Sequence, residues 1–461
     1  MHGRFLLSSA LVALPTPASI AIVLTLLAAL ALGLRLAQKK YALHPEWPRK
    51  LLHIGMGLLI AAFPWIFERA WPVSTLCIVG MFALLATRFV PALRQSIGQV
   101  TGGVARVSLG EIYYPVAIAV LAPLAWKTPV LFVVPVLVLV LADALAALIG
   151  ITYGRLKYQT SEGTKSLEGS IAFFAVSFLS VHVPLLLMTD VGRAESLLIA
   201  VIIGLLSMMF EAIAWRGIDN LIVPLAVYAL LRVYLPLTPG ELWLRVALTL
   251  AMTLFVMLFR RRATLDDSAL IACALFGFGL LTVGGPVAIV APMTVFIGHV
   301  GLFPRHDARR ATNVGAIAAI ASTPLVCLLV IARTNQLWPL LPLAVAMAAH
   351  WAFVWISYAT PAHTGSARPV SVVIAIMTAL LGVVAPTFAI TSLLRHDVAP
   401  MTALLVALQS APLLIGVAVA FALARRKLYL PTPHPRLIHT TGGVLAGFAA
   451  AGATVSYLLT R

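Results

Sequence analysis

The sequence predicts an all-α, polytopic integral membrane protein, a helical bundle of about sixteen transmembrane helices. Three observations predict it. Of the 461 residues, 61% are hydrophobic and only 10% are charged, and the mean hydropathy is +1.03. Apolar runs of roughly the 20 residues that a bilayer core demands recur from end to end. Lys and Arg gather between those runs. Soluble domains carry about a quarter charged residues, so this composition excludes a water-soluble globule, and with it a disordered chain, a coiled coil and a disulfide scaffold.

In chain order, the expected spans lie near 10–34, 51–66, 72–90, 112–126, 129–150, 170–189, 196–215 and 220–236. A second set follows near 242–259, 267–284, 286–303, 312–332, 336–358, 370–394, 400–424 and 437–458. The first run has its basic residues after it, which reads as a retained helix and not a cleaved signal peptide. Pro64, Pro115 and Pro123 interrupt short runs, which leaves tilted or re-entrant segments open there.

With the N-terminus outside, most of the 32 Lys and Arg fall on one side. They run from Arg35, Lys39 and Lys40, past Arg88, Arg94 and Arg106, to Arg155, Lys157 and Lys165. The Arg260–Arg261–Arg262 triplet, Arg305, Arg309, Arg310, Arg368, Arg425, Arg426 and Lys427 continue the series. That side is cytoplasmic by the positive-inside rule, and the expected location is a bacterial inner membrane. Topology and lipid headgroups therefore account for the net charge of +17, and nucleic acid is not an expected partner. Cys77, Cys273 and Cys327 are far apart within apolar stretches and read as small core hydrophobes.

The acidic residues divide the chain. All but four of the 15 Asp and Glu lie at or before Glu241, the exceptions being Asp266, Asp267, Asp307 and Asp397. Phosphate chemistry on a divalent cation needs carboxylates, so any catalytic centre belongs to residues 1–236, with 237–461 as an additional helical domain of unknown role.

Five polar clusters interrupt the first half. Arg49-Lys50-Leu51-Leu52-His53 opens the second span, as a basic anchor or as an anion contact at a helix N-terminus. Glu111 opens the fourth, as a first-turn helix charge or a functional acid. Asp143 follows ten apolar residues, and an ionisable group so placed in a membrane is functional by default. At helical spacing it shares a face with Ala147, Gly150 and Gly154, which lets a helix or a ligand approach closely. Lys165-Ser166-Leu167-Glu168-Gly169 leads into the sixth span, with Ser166 as its N-cap and Lys165 free to meet a phosphate. Glu211 is buried in an apolar stretch two turns before Asp219 and Asn220, which in turn suit helix capping. Four or five carboxylates, a lysine and a histidine on one membrane face match a magnesium-bound nucleoside triphosphate.

The order RKLLH (49–53), GEIYYP (110–115), D-x-x-A-x-x-x-G-x-x-x-G from Asp143, KSLEGS (165–170) and Glu211 followed by GIDNLIVPL (217–225) resembles the membrane polyprenol kinase family. That family includes dolichol kinase and phytol kinase and is distantly akin to CTP-using cytidylyltransferases. The resemblance spans roughly 45–235. It implies CTP-dependent, magnesium-assisted phosphorylation of an isoprenoid alcohol, whether phytol, farnesol, geranylgeraniol, dolichol or polyprenol, among the membrane lipids of the cytoplasmic leaflet. Carried over, it implies that Asp143 helps hold the metal–nucleotide, with Asp219 and Glu211 as further metal ligands. Lys165 and Ser166 would contact the triphosphate, Glu168 and Gly169 would shape that loop, and Asp219 and Asn220 would complete a polar floor. Glu111 and His53 fall on family positions, and the base for the alcohol proton stays open among Asp143, Glu111 and His53.

Two departures stand out. Ala142 takes the place where many relatives have glycine or another small residue, and the family does not require the helices after residue 240. The later half faintly resembles a phytyl-phosphate kinase type in 264–279 and 309–319, yet it lacks the carboxylates such an enzyme needs, and reads as a scaffold, a lipid-handling extension or a degenerate partner domain, with a two-step kinase fusion as the alternative. A CTP:lipid-phosphate cytidylyltransferase is the rival enzyme, but its H-G-G and D-R-x-D signature is absent. A secondary transporter is the rival outside enzymes; it predicts a repeat of broken helices across two halves, and none is visible.

Overall fold

A computed structural model describes residues 15–41, 46–89, 109–160, 163–260, 263, 265–302, 313–359, 369–394, 400–428 and 435–460. The chain forms two compact units, Met1–Leu250 and Ala251–Arg461, divided within the helix Pro239–Phe259.

The first unit opens with α1 (Thr16–Tyr41) and α2 (Glu46–Ala61), which pack on each other. Pro64 sits in a short helical turn, Phe63–Ile66, that ends α2, and the Ser19 hydroxyl donates to the Ile66 carbonyl at 3.3 Å. Next come α3 (Ala70–Phe89) and α4 (Gly110–Ala125), also a packed pair. Pro115 and Pro123 lie inside α4 without ending it, so this segment is an unbroken helix and not the broken one that the prolines suggest.

The centre of the unit is one continuous rod, Val130–Tyr153. It consists of α5 (Val130–Leu137), a π-helical turn (Val138–Ala142) and α6 (Asp143–Tyr153). Val134, Val136, Val138, Val140 and Ala142 are fully buried, as a rod surrounded by other helices requires. A hairpin follows, β1 (Lys157–Thr160) and β2 (Gly163–Ser166), antiparallel with Tyr158 opposite Lys165. Strands of four residues are too short for period-two alternation to declare itself, so the sequence reads this piece as a loop.

Ser166 ends β2 and caps α7 (Leu167–Met188), its hydroxyl accepting the Gly169 N–H at 3.2 Å. The antiparallel partner α8 (Arg193–Ile213) is tied to the far end of α7 by His182 Nδ1 and the Ser196 hydroxyl, 2.9 Å apart. A tight turn then carries Arg216 and Gly217 at φ of 54° and 80° into α9 (Asp219–Tyr234). At Gly217 any side chain would be strained. α9 packs against α4, α5 and α8, and α2 lies along the rod on either side of its π turn.

The second unit contains α11 (Asp267–Gly284), after the divided helix α10 (Pro239–Phe259), and then α12 (Val290–Leu302) and α13 (Val314–Thr334). Asp266 caps α11 through a 2.6 Å bond from the Ala269 N–H, and Arg260 pairs with Asp267 at 2.9 Å. α14 (Leu340–Ala359) is the most enclosed helix, wrapped by a kinked α15 and α16 (Pro369–Ala379, Ala385–Leu394), by α17 (Pro400–Leu428) and by α18 (Pro435–Thr460). Ala344, Ala346, Ala348 and Ala349 meet Ala446, Ala449, Ala450 and Ala453 in one core, small residues that let helices approach closely in the absence of a hydrophobic drive between them.

Within the described residues each expected run is helical, which bears out a helical membrane bundle but not sixteen as the number of crossings. Among the described residues, eleven helices are long and apolar enough to cross a membrane. Ala70–Ala86, Gly110–Ala125 and Pro286–Gly301 are apolar but shorter. Glu46–Ala61 and Asp219–Tyr234 begin with polar residues that shorten their apolar stretch. Among the loop cations used for orientation, Arg94, Arg106, Arg261, Arg262, Arg305, Arg309, Arg310 and Arg368 lie outside the described residues.

Candidate active site

Three carboxylates from three elements of the first unit line one narrow cleft, too tight in this structure to admit a water molecule. Asp143, Glu211 and Asp219 share its walls with Leu139, Phe173 and Val223. Glu211 comes from the end of α8 and Asp219 from the first turn of α9; Asp143 begins α6, just after the π turn. π turns loosen the backbone ladder and recur at functional sites.

α2 supplies the groups facing Asp143. Lys50 and His53 lie one turn apart and so on one face. Lys50, only 5% exposed, places Nζ 2.7 Å from Asp143 Oδ2 and donates more weakly to the Asp143 carbonyl at 3.5 Å. His53 Nε2 lies 3.8 Å from the same carboxylate oxygen, and its ring rests against Tyr114 at 5.1 Å. Among the described residues Nε2 has no hydrogen-bond partner, while the ring bonds the Leu139 main chain in the π turn. That leaves Nε2 as the basic nitrogen.

The hairpin supplies the other cation. Lys165 Nζ donates to Glu211 Oε1 at 2.7 Å and to the Glu211 carbonyl at 2.7 Å, satisfying a carbonyl in the last turn of α8. Burial works against the Lys165 ammonium. The charge and hydrogen bond of Glu211 outweigh it, with Tyr158 and Asp219 adding to the same side, so its pKa stands above the ordinary lysine value.

Glycines bring the hairpin end and α7 close to the rod. A Cβ on Gly154 would meet the Gly150 carbonyl and the Ser166 side chain, and one on Gly169 would lie 3.1 Å from both the Ala146 carbonyl and the Ser166 hydroxyl. The small-residue face of α6 therefore receives the start of α7. Glu168 turns away from the cleft, its carboxylate accepting the Leu156 N–H at 3.2 and 3.3 Å and so fastening the hairpin's base.

The remaining candidates divide. The Leu109 N–H donates to the Arg216 carbonyl at 3.0 Å, which ties the start of α4 to the turn before Asp219. Glu111 stands in that first turn of α4 with its side chain exposed, and it does not line the cleft. Asn220 adjoins Asp219 on α9, also off the cleft wall. Asp219 is not a cap: Ile218 holds the cap position, without a side-chain cap bond. Lys50 is the residue that sequence reasoning named within RKLLH but left out of the site. Its spacing to His53 was visible; its partner, 93 positions away, was not.

Among the described residues no three His, Cys, Asp or Glu side chains could cage a metal ion by themselves. Magnesium carried on a nucleotide is held by one or two carboxylates and by the phosphates. Asp143, Glu211 and Asp219 offer donors of that class at one cleft, with lysines beside two of them for the phosphates. The residues fit a metal shared with a nucleotide.

No family model and no solved structure matches the chain. It is similar to the phytol kinase of Synechocystis sp., with 32% identity over 215 residues, 46% of this chain and 90% of that protein. The chain therefore belongs to the polyprenol and phytol kinase-like family, and it is a kinase, a phosphotransferase with an alcohol acceptor.

Proposed function

We propose that the protein transfers the γ-phosphoryl group of CTP, with Mg2+, to the hydroxyl of an isoprenoid alcohol at the cytoplasmic face of a bacterial inner membrane. The observation that carries this reading is the composition of the cleft, in which three carboxylates and two adjoining lysines meet the apolar walls of Leu139, Phe173 and Val223. A phosphorylated head and a prenyl tail need those two surfaces side by side. The likeness to a phytol kinase supports an isoprenoid acceptor, and the sequence resemblance supports CTP.

In this reading Lys165 holds the phosphate chain, and Ser166 and Gly169 fix the position of that lysine by capping α7. Asp143 and Asp219 share the metal, which when bound neutralises charge on the transferring phosphoryl group. His53 accepts the hydroxyl proton at Nε2 while the alcohol oxygen attacks the γ-phosphorus and the bond to the β-bridging oxygen breaks, releasing the nucleoside diphosphate.

The test is purified protein with Mg2+, radiolabelled CTP or ATP, and farnesol, geranylgeraniol, phytol or undecaprenol in turn. The expected products are a phosphorylated alcohol and CDP. Pyrophosphate release would instead mark a cytidylyltransferase, and failure of every alcohol with both nucleotides would overturn the proposal.

A further inference from the structure

The two lysines at the cleft are bound alike but not equally. Each reaches both the carboxylate and the main-chain carbonyl of one acidic residue. For Lys165 both bonds are 2.7 Å, and the carbonyl belongs to a helix C-terminal turn, where a cation is favoured. For Lys50 only the carboxylate bond is short; the carbonyl lies at 3.5 Å. Lys50 is thus held to Asp143 almost entirely by the charge of that carboxylate.

A cation cannot take Asp143 Oδ2 while an ammonium sits 2.7 Å from it, because the two positive charges would repel at short range in a poorly screened site. The lysine stem is long and flexible, and its head is a compact point charge that can turn to a new acceptor. Lys50 is buried, so that acceptor must arrive in the cleft, and the groups that accompany a divalent cation here are phosphate oxygens.

We infer that Lys50 is an exchangeable counter-ion: it holds Asp143 until a divalent cation takes the carboxylate, and it then turns to the phosphate chain of the incoming nucleotide. This role rests on the nucleotide-site reading above. It makes Lys50 a nucleotide-positioning residue, and Lys165, doubly anchored on Glu211, the fixed one of the two.

The exchange is tested with the full-length protein in detergent, using Mn2+ as a paramagnetic probe of cation binding, with and without CTP. Lys50→Met removes the competing charge, so Mn2+ alone is expected to bind about tenfold tighter than to wild type, while Mn2+–CTP binds about tenfold weaker. Lys50→Arg keeps the charge and is expected to bind Mn2+ as wild type does. If Lys50→Met does not fold, Lys50→Gln, which keeps a donor for Asp143 without the charge, is compared instead, with the same expected direction. Wild-type protein that binds Mn2+–CTP, together with a neutral variant whose Mn2+ affinity is unchanged or lower, overturns the exchange alone. Wild-type protein that binds neither Mn2+ nor Mn2+–CTP overturns the nucleotide site itself, and the exchange with it.

Discussion

The two units bury polarity in different ways. In the first, Lys50 is buried and pairs with Asp143 at 2.7 Å, and Lys165 pairs with Glu211 at the same distance, both carboxylates being partly buried. In the second, the buried polar side chains among the described residues are neutral or histidine: Ser268, His350, Thr387, Ser410 and Ser456. Its described carboxylates Asp266 and Asp267 stay at the start of α11, one capping the helix and the other pairing with a half-exposed arginine. Burying ions costs more than burying alanines and is of little net use to stability, because desolvation offsets the attraction. The contrast teaches that a buried ammonium is confined to the first unit among the described residues, whereas the described core of the second is built from apolar and neutral side chains.

The largest expected effect breaks this contrast if it fails. Asp143→Ala leaves Lys50 buried without its carboxylate and is expected to cost about 3–5 kcal/mol. Asp267→Ala removes a partner from Arg260, which is 50% exposed, and is expected to cost at most about 1 kcal/mol. Unfolding by SDS titration in mixed micelles measures both; equal losses would mean that burial does not separate the two units.

A second pair of substitutions should differ in sign. Gly154→Ala places a methyl against the Gly150 carbonyl and Ser166, and is expected to cost about 1–3 kcal/mol with loss of kinase activity. Gly416→Ala, in α17, meets nothing within 4 Å and is expected to stabilise by up to about 1 kcal/mol through helix propensity alone. The same titration reads both, and a stabilising Gly154→Ala would show that α7 does not seat on the rod as described.

Helix caps sharpen the comparison from the other side, because they should be worth the same in either unit. Ser166→Ala and Asp266→Ala are each expected to cost about 1 kcal/mol. Only Ser166→Ala should also impair turnover, seen as a raised KM for the nucleotide.

The smallest effect concerns pH. The pKa of Lys165 is higher in the folded protein than in the unfolded chain, so its pairing with Glu211 contributes fully below the ordinary lysine value of about 10.4 and is lost only as pH rises through the higher folded value. Stability attributable to this pair should be level from neutral to about pH 10 and fall beyond it, and Lys165→Met should remove that alkaline fall from the SDS profile.

Helices were largely legible in the sequence, since an apolar run of sufficient length has few alternatives in a bilayer. Crossing number was less so, because α2 and α9 give their first turns to polar residues, which a hydropathy window counts as interruption. Around the cleft, Asp143 announced itself by standing alone in an apolar stretch, and Glu211 by the same sign. Which lysine meets which acid was illegible, because the partners lie 93 and 46 positions apart and no local period links them. Glu111 looked equal to the others in sequence, yet the direction of its side chain depends on how α4 meets the turn at Arg216.

The π turn at Val138–Ala142 also sets the direction of Asp143. Such a turn holds about one residue more than regular helix of the same span. Winding the same residues as regular α-helix would instead swing the aspartate by about 100° around the rod, carrying it off its lysine and toward another neighbour.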